Sequence, residues 1–172
     1  MIRIIHAKED HLPAVLRIEN ASIKPPWTEG ALLGEVGRDD GLFALAIADG
    51  VFIEDGVSIA DGPTADDGGV LGFCIVRCAA DEAELYQIAV CEGYRRHGVA
   101  DSLMNAAKQF CRQNRIGSVY LEVRRSNEAA IRLYRKHGFK NQGRRKNYYS
   151  SPVEDAVLMS LALALDQDTK LV

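Results

Sequence analysis

Residues 85–110 begin Leu85-Tyr86-Gln87-Ile88-Ala89-Val90, turn through Cys91-Glu92-Gly93-Tyr94 and Arg95-Arg96-His97-Gly98, and run on from Val99-Ala100-Asp101 to Phe110. The first six residues are an apolar strand, and Val99, Leu103, Ala106, Ala107 and Phe110 recur at the spacing of a helix's buried face. Between them lies a basic, glycine-bearing turn that feeds a helix start. The first amides of a helix lack intrahelical partners and carry partial positive charge, so anions settle there. Gly98 permits close backbone approach and positive φ, while Arg95 and Arg96 add fork-shaped donors. The turn therefore fits a phosphate site, although a basic turn before a helix is, taken alone, more often simply solvated.

Outward from this segment the chain alternates strand and helix signals. A first strand is expected over 2–5, then a helix with Leu12, Val15, Leu16 and Glu19 at helical spacing, ended by Pro25-Pro26. Trp27, the single tryptophan, reads as a packing anchor beside that turn. Thr28 caps a second short helix with Leu32, Leu33 and Val36 inward. Strands over 42–48 and 70–78 pair as a hairpin, and a third long strand covers 83–90. Residues 101–114 form most of a helix. Residues 118–124 form a strand, with Val119, Leu121 and Val123 on one face and Tyr120, Glu122 and Arg124 on the other. Asn127 caps the next helix, Gly138 closes it in left-handed geometry, and Phe139 returns the chain to the core. After a polar turn, 153–163 is the last strand. The order is β-α-α-β-β-β-α-β-α-β-β, with a parallel crossover through the helix after the basic turn. Ligands of such sheets sit at strand C-termini, which groups Val90, residues 95–100 and residues 124–127 around one crevice.

Composition bounds the function. A chain of 172 residues with 47% hydrophobic and 26% charged residues suits one folded unit with a real core. Its net charge of −3 argues against a general nucleic-acid binder, so attraction to phosphate is local. No apolar run is long enough for a membrane span, and the charged N-terminus lacks a signal-peptide core, so a cytoplasmic location with no membrane partner is expected. Cys74, Cys78, Cys91 and Cys111 form no C-x-x-C pair and read as buried free thiols. Residues 54–69 carry five acids, four glycines and no base, the composition of a mobile acidic loop. Its aspartate spacing does not fit a calcium-binding EF-hand, and no metal is expected.

Several motifs in order resemble the GNAT acetyltransferases, and within them the RimI-type enzymes that acetylate the N-terminal amine of a ribosomal protein. They are Pro26-Trp27-Thr28-Glu29, the strand 85–90, Arg95-x-x-Gly98-x-Ala100, Leu121-Glu122-Val123-Arg124-x-Ser126-Asn127-x-Ala129-Ala130-Ile131, Leu133-Tyr134-x-x-x-Gly138-Phe139, Arg145-Lys146-Asn147-Tyr148-Tyr149 and Glu154-Asp155-Ala156. The resemblance spans residues 1 to about 163. It implies a single α/β GNAT domain over 1–165, with the acidic insert at 54–69 and a tail at 166–172. Its sheet is mixed, mostly antiparallel, splayed at the centre and flanked by helices. Acetyl-CoA is the implied cosubstrate. Its acceptor is a primary amine, most plausibly the N-terminal α-amine of a ribosomal protein.

The resemblance also assigns residues. Ile88, Ala89 and Val90 offer backbone groups to the pantetheine arm and the thioester carbonyl. Arg95 with Arg96, His97, Gly98, Val99, Ala100 and Asp101 hold the pyrophosphate, largely through amides. Asn127 touches pantetheine while also serving as a helix cap. Glu122 is the general base and Tyr134 the acid that protonates the leaving thiolate. The competing reading pairs Glu122 with Arg124 on the strand surface and leaves Tyr134 as a core tyrosine. Tyr148 and Tyr149 are expected in a turn bordering the acceptor site, with a hydrophobic strand-edge role as the alternative, and Glu84 attracts a cationic amine. Asp101 stands where relatives carry a basic residue, which is unfavourable beside a pyrophosphate unless it points away. Two other functions share these features: acetylation of a small amine or free amino acid, and a non-catalytic acyl-CoA-binding module. The presence of both Glu122 and Tyr134 argues against the module.

Overall fold

The computed structural model describes residues 1–48, 53–54, 57–58 and 69–164. Seven strands form one sheet, in the order β1 (Ile2–His6), β2 (Gly41–Ala48), β5 (Val70–Ala79), β6 (Glu82–Val90), β7 (Ser118–Arg124), β9 (Val153–Ala162), β8 (Lys140–Ser150). Helices α1 (Leu12–Ser22) and α2 (Glu29–Leu33) follow β1, α3 (Val99–Gln113) joins β6 to β7, and α4 (Glu128–Lys136) joins β7 to β8. Every neighbouring pair is antiparallel except β6 and β7. A parallel pair needs a crossover long enough to return the chain, and α3 supplies it.

The sheet is covered on both faces. Val99, Leu103, Met104, Ala107 and Cys111 of α3 and Ile131 and Tyr134 of α4 pack against one face. On the other, Leu12, Ala14, Val15 and Ile18 of α1 and Leu32 of α2 meet Phe43, Leu45, Phe73 and Ile75. Double coverage explains why β2 and β5 read as continuous apolar runs rather than alternating ones. The expected caps are present: Thr28 accepts a bond from the Ala31 amide at 3.2 Å, Asn127 from the Ala130 amide at 3.1 Å, and Gly138 has φ +94°.

One interruption positions everything functional. Strands β6 and β7 pair only at Glu82–Ser118, Ala83–Val119 and Glu84–Tyr120, after which they diverge. The sheet opens between the C-terminal half of β6 and the strand bearing Glu122.

The acidic insert at 54–69 lies, apart from residues 54, 57, 58 and 69, outside the described residues, as does the tail at 166–172. At its start, β3 (Ile53–Glu54) and β4 (Val57–Ser58) pair as a separate two-stranded sheet. The two tyrosines expected in a turn, Tyr148 and Tyr149, instead lie within β8, whose 11 residues run to Ser150. This edge strand is polar almost throughout and breaks register between Asn141 and Gly143 and between Arg145 and Tyr149. Charged, bulged edges resist pairing with other chains, and the same features hide the strand from an alternation pattern. All four cysteines are free, with Cys74 and Cys111 buried and Cys78 and Cys91 half-buried.

Candidate active site

The site begins with a bulge in β6. Opposite Ile75 and Val76 the register slips, so that Ile75 pairs with Gln87 and Val76 with Leu85, leaving Tyr86 extra. One additional residue reverses which side chains face which layer. Before it, Ala83 and Leu85 join the α3 layer. After it, Ile88 and Val90 take that side while Ala89 joins the α1 layer.

Beyond Val90, a 3-10 turn over Glu92–Tyr94 leads to Arg96 at φ +66° and Gly98 at φ +79°, and α3 starts at Val99. Gly98 is the cap, and having no side chain it makes no cap bond to the helix's first amides. Arg95 pins the loop, its Nε reaching the Val90 carbonyl and one terminal nitrogen the Ser22 hydroxyl, both at 3.3 Å. The His97 Nδ1 donates to the Arg95 carbonyl at 2.8 Å.

These elements enclose a cleft of about 440 Å³ in the gap of the sheet. It brings together Ile88, Ala89, Val90, Arg95, Arg96, Gly98, Ala100, Asp101 and Asn127. His97 and Val99 are not among its lining residues, and Val99 is a core side chain that can offer only its backbone. Sequence reasoning did not place Ser22, Ala129, Ala130 or Leu133 there. The usable signal was the Ala129-Ala130 pair on the first turn of α4, where small side chains leave room for a ligand.

Asp101 does not leave a bare negative charge in this cleft. Its Oδ1 lies 2.7 Å from Lys136 Nζ and 2.8 Å from His137 Nε2, both at the C-terminal end of α4. The Lys136 contact foremost holds the Asp101 carboxyl below the usual carboxylate range.

The other side of the gap carries the acid–base residues. Glu122 lies on the face of β7 away from α3, its side chain 20% exposed, with Oε1 2.9 Å from Arg145. Arg145 comes from β8, so the pairing with Arg124 that the competing reading held is not the one formed. Arg124 instead contacts Glu154 at 3.3 Å and the carbonyls of Lys24, Ser151 and Pro152. Alternation put Glu122 and Arg124 on one face, but the backbone carbonyls at the β8–β9 turn draw the guanidinium away. The Glu122 carboxylate near the Tyr148 hydroxyl foremost raises the tyrosine's pKa, and the Glu84 charge adds to that rise. Burial, followed by the Glu122 charge, pushes the Tyr149 phenol up to about 12. Tyr134 is 7% exposed, packs its ring 5.8 Å from Phe139, and does not line the cleft, although its neighbours Ala130 and Leu133 do. Burial, with Tyr149 and Cys74 nearby, raises its pKa well above the ordinary phenol range.

Among the described residues, no group of three or more His, Cys, Asp or Glu side chains is arranged to hold a metal, and no helix is long and apolar enough to cross a membrane. What the cleft offers is an apolar wall, a helix N-terminus and two guanidinium groups, donors suited to a pantetheine arm ending in phosphates. A sheet opened at its one parallel pair, with this cleft in the opening, defines an acyl-CoA-dependent N-acyltransferase.

Residues 24–139 match the acetyltransferase (GNAT) family model, and the chain belongs to that family. It is an acetyl-CoA-dependent N-acetyltransferase. The ribosomal protein bS18-alanine N-acetyltransferase of Escherichia coli K12 is 30% identical over 156 residues, 90% of this chain and 93% of that one. The crystal structure of the Escherichia coli ribosomal-protein-S18-alanine N-acetyltransferase superposes with a TM-score of 0.77 at 28% identity, covering 100% of both chains. Ard1 from Thermoplasma volcanium gives 0.76 at 29% identity over 95% of this chain and 98% of that one.

Proposed function

We propose that this enzyme acetylates the N-terminal α-amine of a protein, and that the acceptor is a ribosomal protein. The observation that carries the reading is Glu122 on the sheet face away from α3, ion-paired to Arg145 at 2.9 Å and with Tyr148 and Glu84 near it. An incoming ammonium group meets carboxylates there, while the donor cleft opens at the gap alongside. The bS18-alanine acetyltransferase relatives support the acceptor class.

An α-amine has an ordinary pKa near 8 and is mostly protonated at neutral pH, so it must lose a proton before it becomes nucleophilic. Acetyl-CoA, when bound, supplies the acetyl group as an activated thioester. Glu122 accepts the ammonium proton, directly or through water. Backbone N–H groups at Ala89 or Val90 hold the carbonyl oxygen as negative charge develops on it. Tyr134 donates its phenol proton to the departing sulfur, and its raised pKa keeps that proton in place until it is needed. Arg95 and Arg96 and the backbone of His97, Gly98, Val99, Ala100 and Asp101 hold the pyrophosphate, Ile88 to Val90 and Asn127 the pantetheine arm. Glu84, Tyr148 and Tyr149 border the acceptor.

Thiol release from acetyl-CoA, followed with N-terminal peptides, lysine peptides and free amines, tests the acceptor. Turnover confined to peptides with free N-termini is expected. Turnover confined to small amines overturns the reading in favour of a small-molecule acetyltransferase.

A further inference from the structure

Glu19, on the last turns of α1, is fully buried, and the mechanism above does not use it. Its Oε1 accepts two bonds, from the Trp27 amide at 2.6 Å and from Gln87 Nε2 at 3.1 Å. Among the described residues, its Oε2 and the Gln87 Oε1 have no hydrogen-bond partner. If the carboxyl is ionised, both are buried acceptors with nothing to accept. A single proton on Oε2 changes this, because a carboxylic acid and a primary amide are complementary. The amide N–H already donates to one carboxyl oxygen, and the acid O–H then donates to the amide oxygen.

We propose that Glu19 is carried as the neutral carboxylic acid, closing a two-bond ring with the Gln87 amide, and that this ring is a positioning device for acetyl transfer. Three elements meet at it. Gln87 follows the Tyr86 bulge and precedes Ile88, Ala89 and Val90 in the cleft wall. Trp27, whose amide is the third bond, packs edge-on against Tyr86 with ring centroids 6.0 Å apart. The ring thus ties α1 and the Trp27 loop to the part of β6 that lines the donor cleft.

Burial favours the same state, since it raises the Glu19 pKa more than the Trp27 and Gln87 bonds lower it. No charged side chain contributes to that shift. Arg77, which lies over the Trp27 and Tyr86 rings, is already paired with Glu35. Glu19 is a positioning residue, since it acts through Gln87 and Trp27.

Infrared spectra of protein carrying ¹³C-labelled glutamate carboxyls, with Glu19→Gln as the blank, test the protonation state directly. A protonated-acid carbonyl band that vanishes in the blank, and persists from about pH 6 to about pH 8, is expected. Only carboxylate bands at this position would overturn the proposal. The positioning role rests on the acetyl-transfer reading and is tested by kinetics. Glu19→Ala should lower kcat/KM for an N-terminal peptide about 10- to 100-fold, as expected when reacting groups are misplaced. Glu19→Gln, whose amide can rebuild both ring bonds, should rescue most of that loss. Failure of Glu19→Gln to rescue would overturn the ring. If Glu19→Ala does not fold, the infrared result and the Glu19→Gln kinetics still decide. Failure of the wild type to turn over any N-terminal peptide would instead count against the acceptor assignment.

Discussion

Glu122 sits between a guanidinium and a phenol, and its removal separates chemistry from binding. Glu122→Gln should lower kcat by about 10²- to 10⁴-fold, the range for loss of a general base, while acetyl-CoA affinity by calorimetry stays unchanged. Weakened acetyl-CoA binding would move Glu122 out of the acid–base role. Tyr134→Phe should lower kcat with similarly unchanged donor affinity. Because burial raises the Tyr134 pKa, the wild-type rate should show no decline from its ionisation up to about pH 10. Asp101 makes a prediction about stability. Its folded pKa is depressed, so the contribution of its contacts is present above the ordinary carboxylate pKa and lost as pH falls through the folded value. Thermal melts from about pH 6 to about pH 3 should show a shallower acid decline in Asp101→Asn. At neutral pH the variant should be destabilised by less than about 1 kcal/mol, because these groups are partly exposed and solvent screens them. An unchanged acid decline would mean that the Lys136 and His137 contacts are not formed in solution.

The elements themselves explain why parts of this site were readable and parts were not. Val119, Leu121 and Val123 alternate cleanly with Tyr120, Glu122 and Arg124, so β7 and the outward direction of Glu122 follow from period alone. Asn127 and Gly138 mark the ends of α4 by cap chemistry. The register slip at Tyr86 leaves no local mark, because a bulge depends on the partner strand, and with it goes the knowledge of which β6 side chains face the cleft. The salt bridge from Arg145 was equally hidden, since it depends on β8 lying beyond β9 at the sheet edge. A close approach offers a test at this scale. Gly72 pairs with Val90, and a Cβ there would meet the Ala89 carbonyl oxygen at 2.6 Å and Val90 Cα at 3.2 Å. Both obstacles are backbone, so β6 must shift where it lines the cleft. Gly72→Ala should cost about 1–3 kcal/mol, as overpacking does, and weaken acetyl-CoA binding. Unchanged donor affinity would mean that the position of β6 at Ala89 does not control the cleft.

At the scale of the whole molecule, the single parallel pair divides the sheet into two halves that meet at only three residue pairs. A donor seated in the opening contacts β6, α3 and α4 together, so its binding is linked to folding. At about 100 times its Kd, acetyl-CoA should raise the unfolding free energy by about 2.7 kcal/mol, read as an upward shift in Tm. No shift at that concentration would contradict a preformed donor cleft. The chain order and mixed sheet were legible because crossover and hairpin lengths constrain how strands join. The opening was not, because it is an absence of pairing, which no residue pattern records; family resemblance supplied it. The central claim joins this opening to the Glu122 face as one acetyl-transfer site. Its most direct test is mass-spectrometric mapping of a peptide with a free α-amine and an internal lysine, after incubation with acetyl-CoA and wild-type or Glu122→Gln enzyme. One acetyl group on the α-amine, none on the lysine, and slow reaction with the variant are predicted. Acetylation on the lysine, or equal rates with the two enzymes, would contradict it.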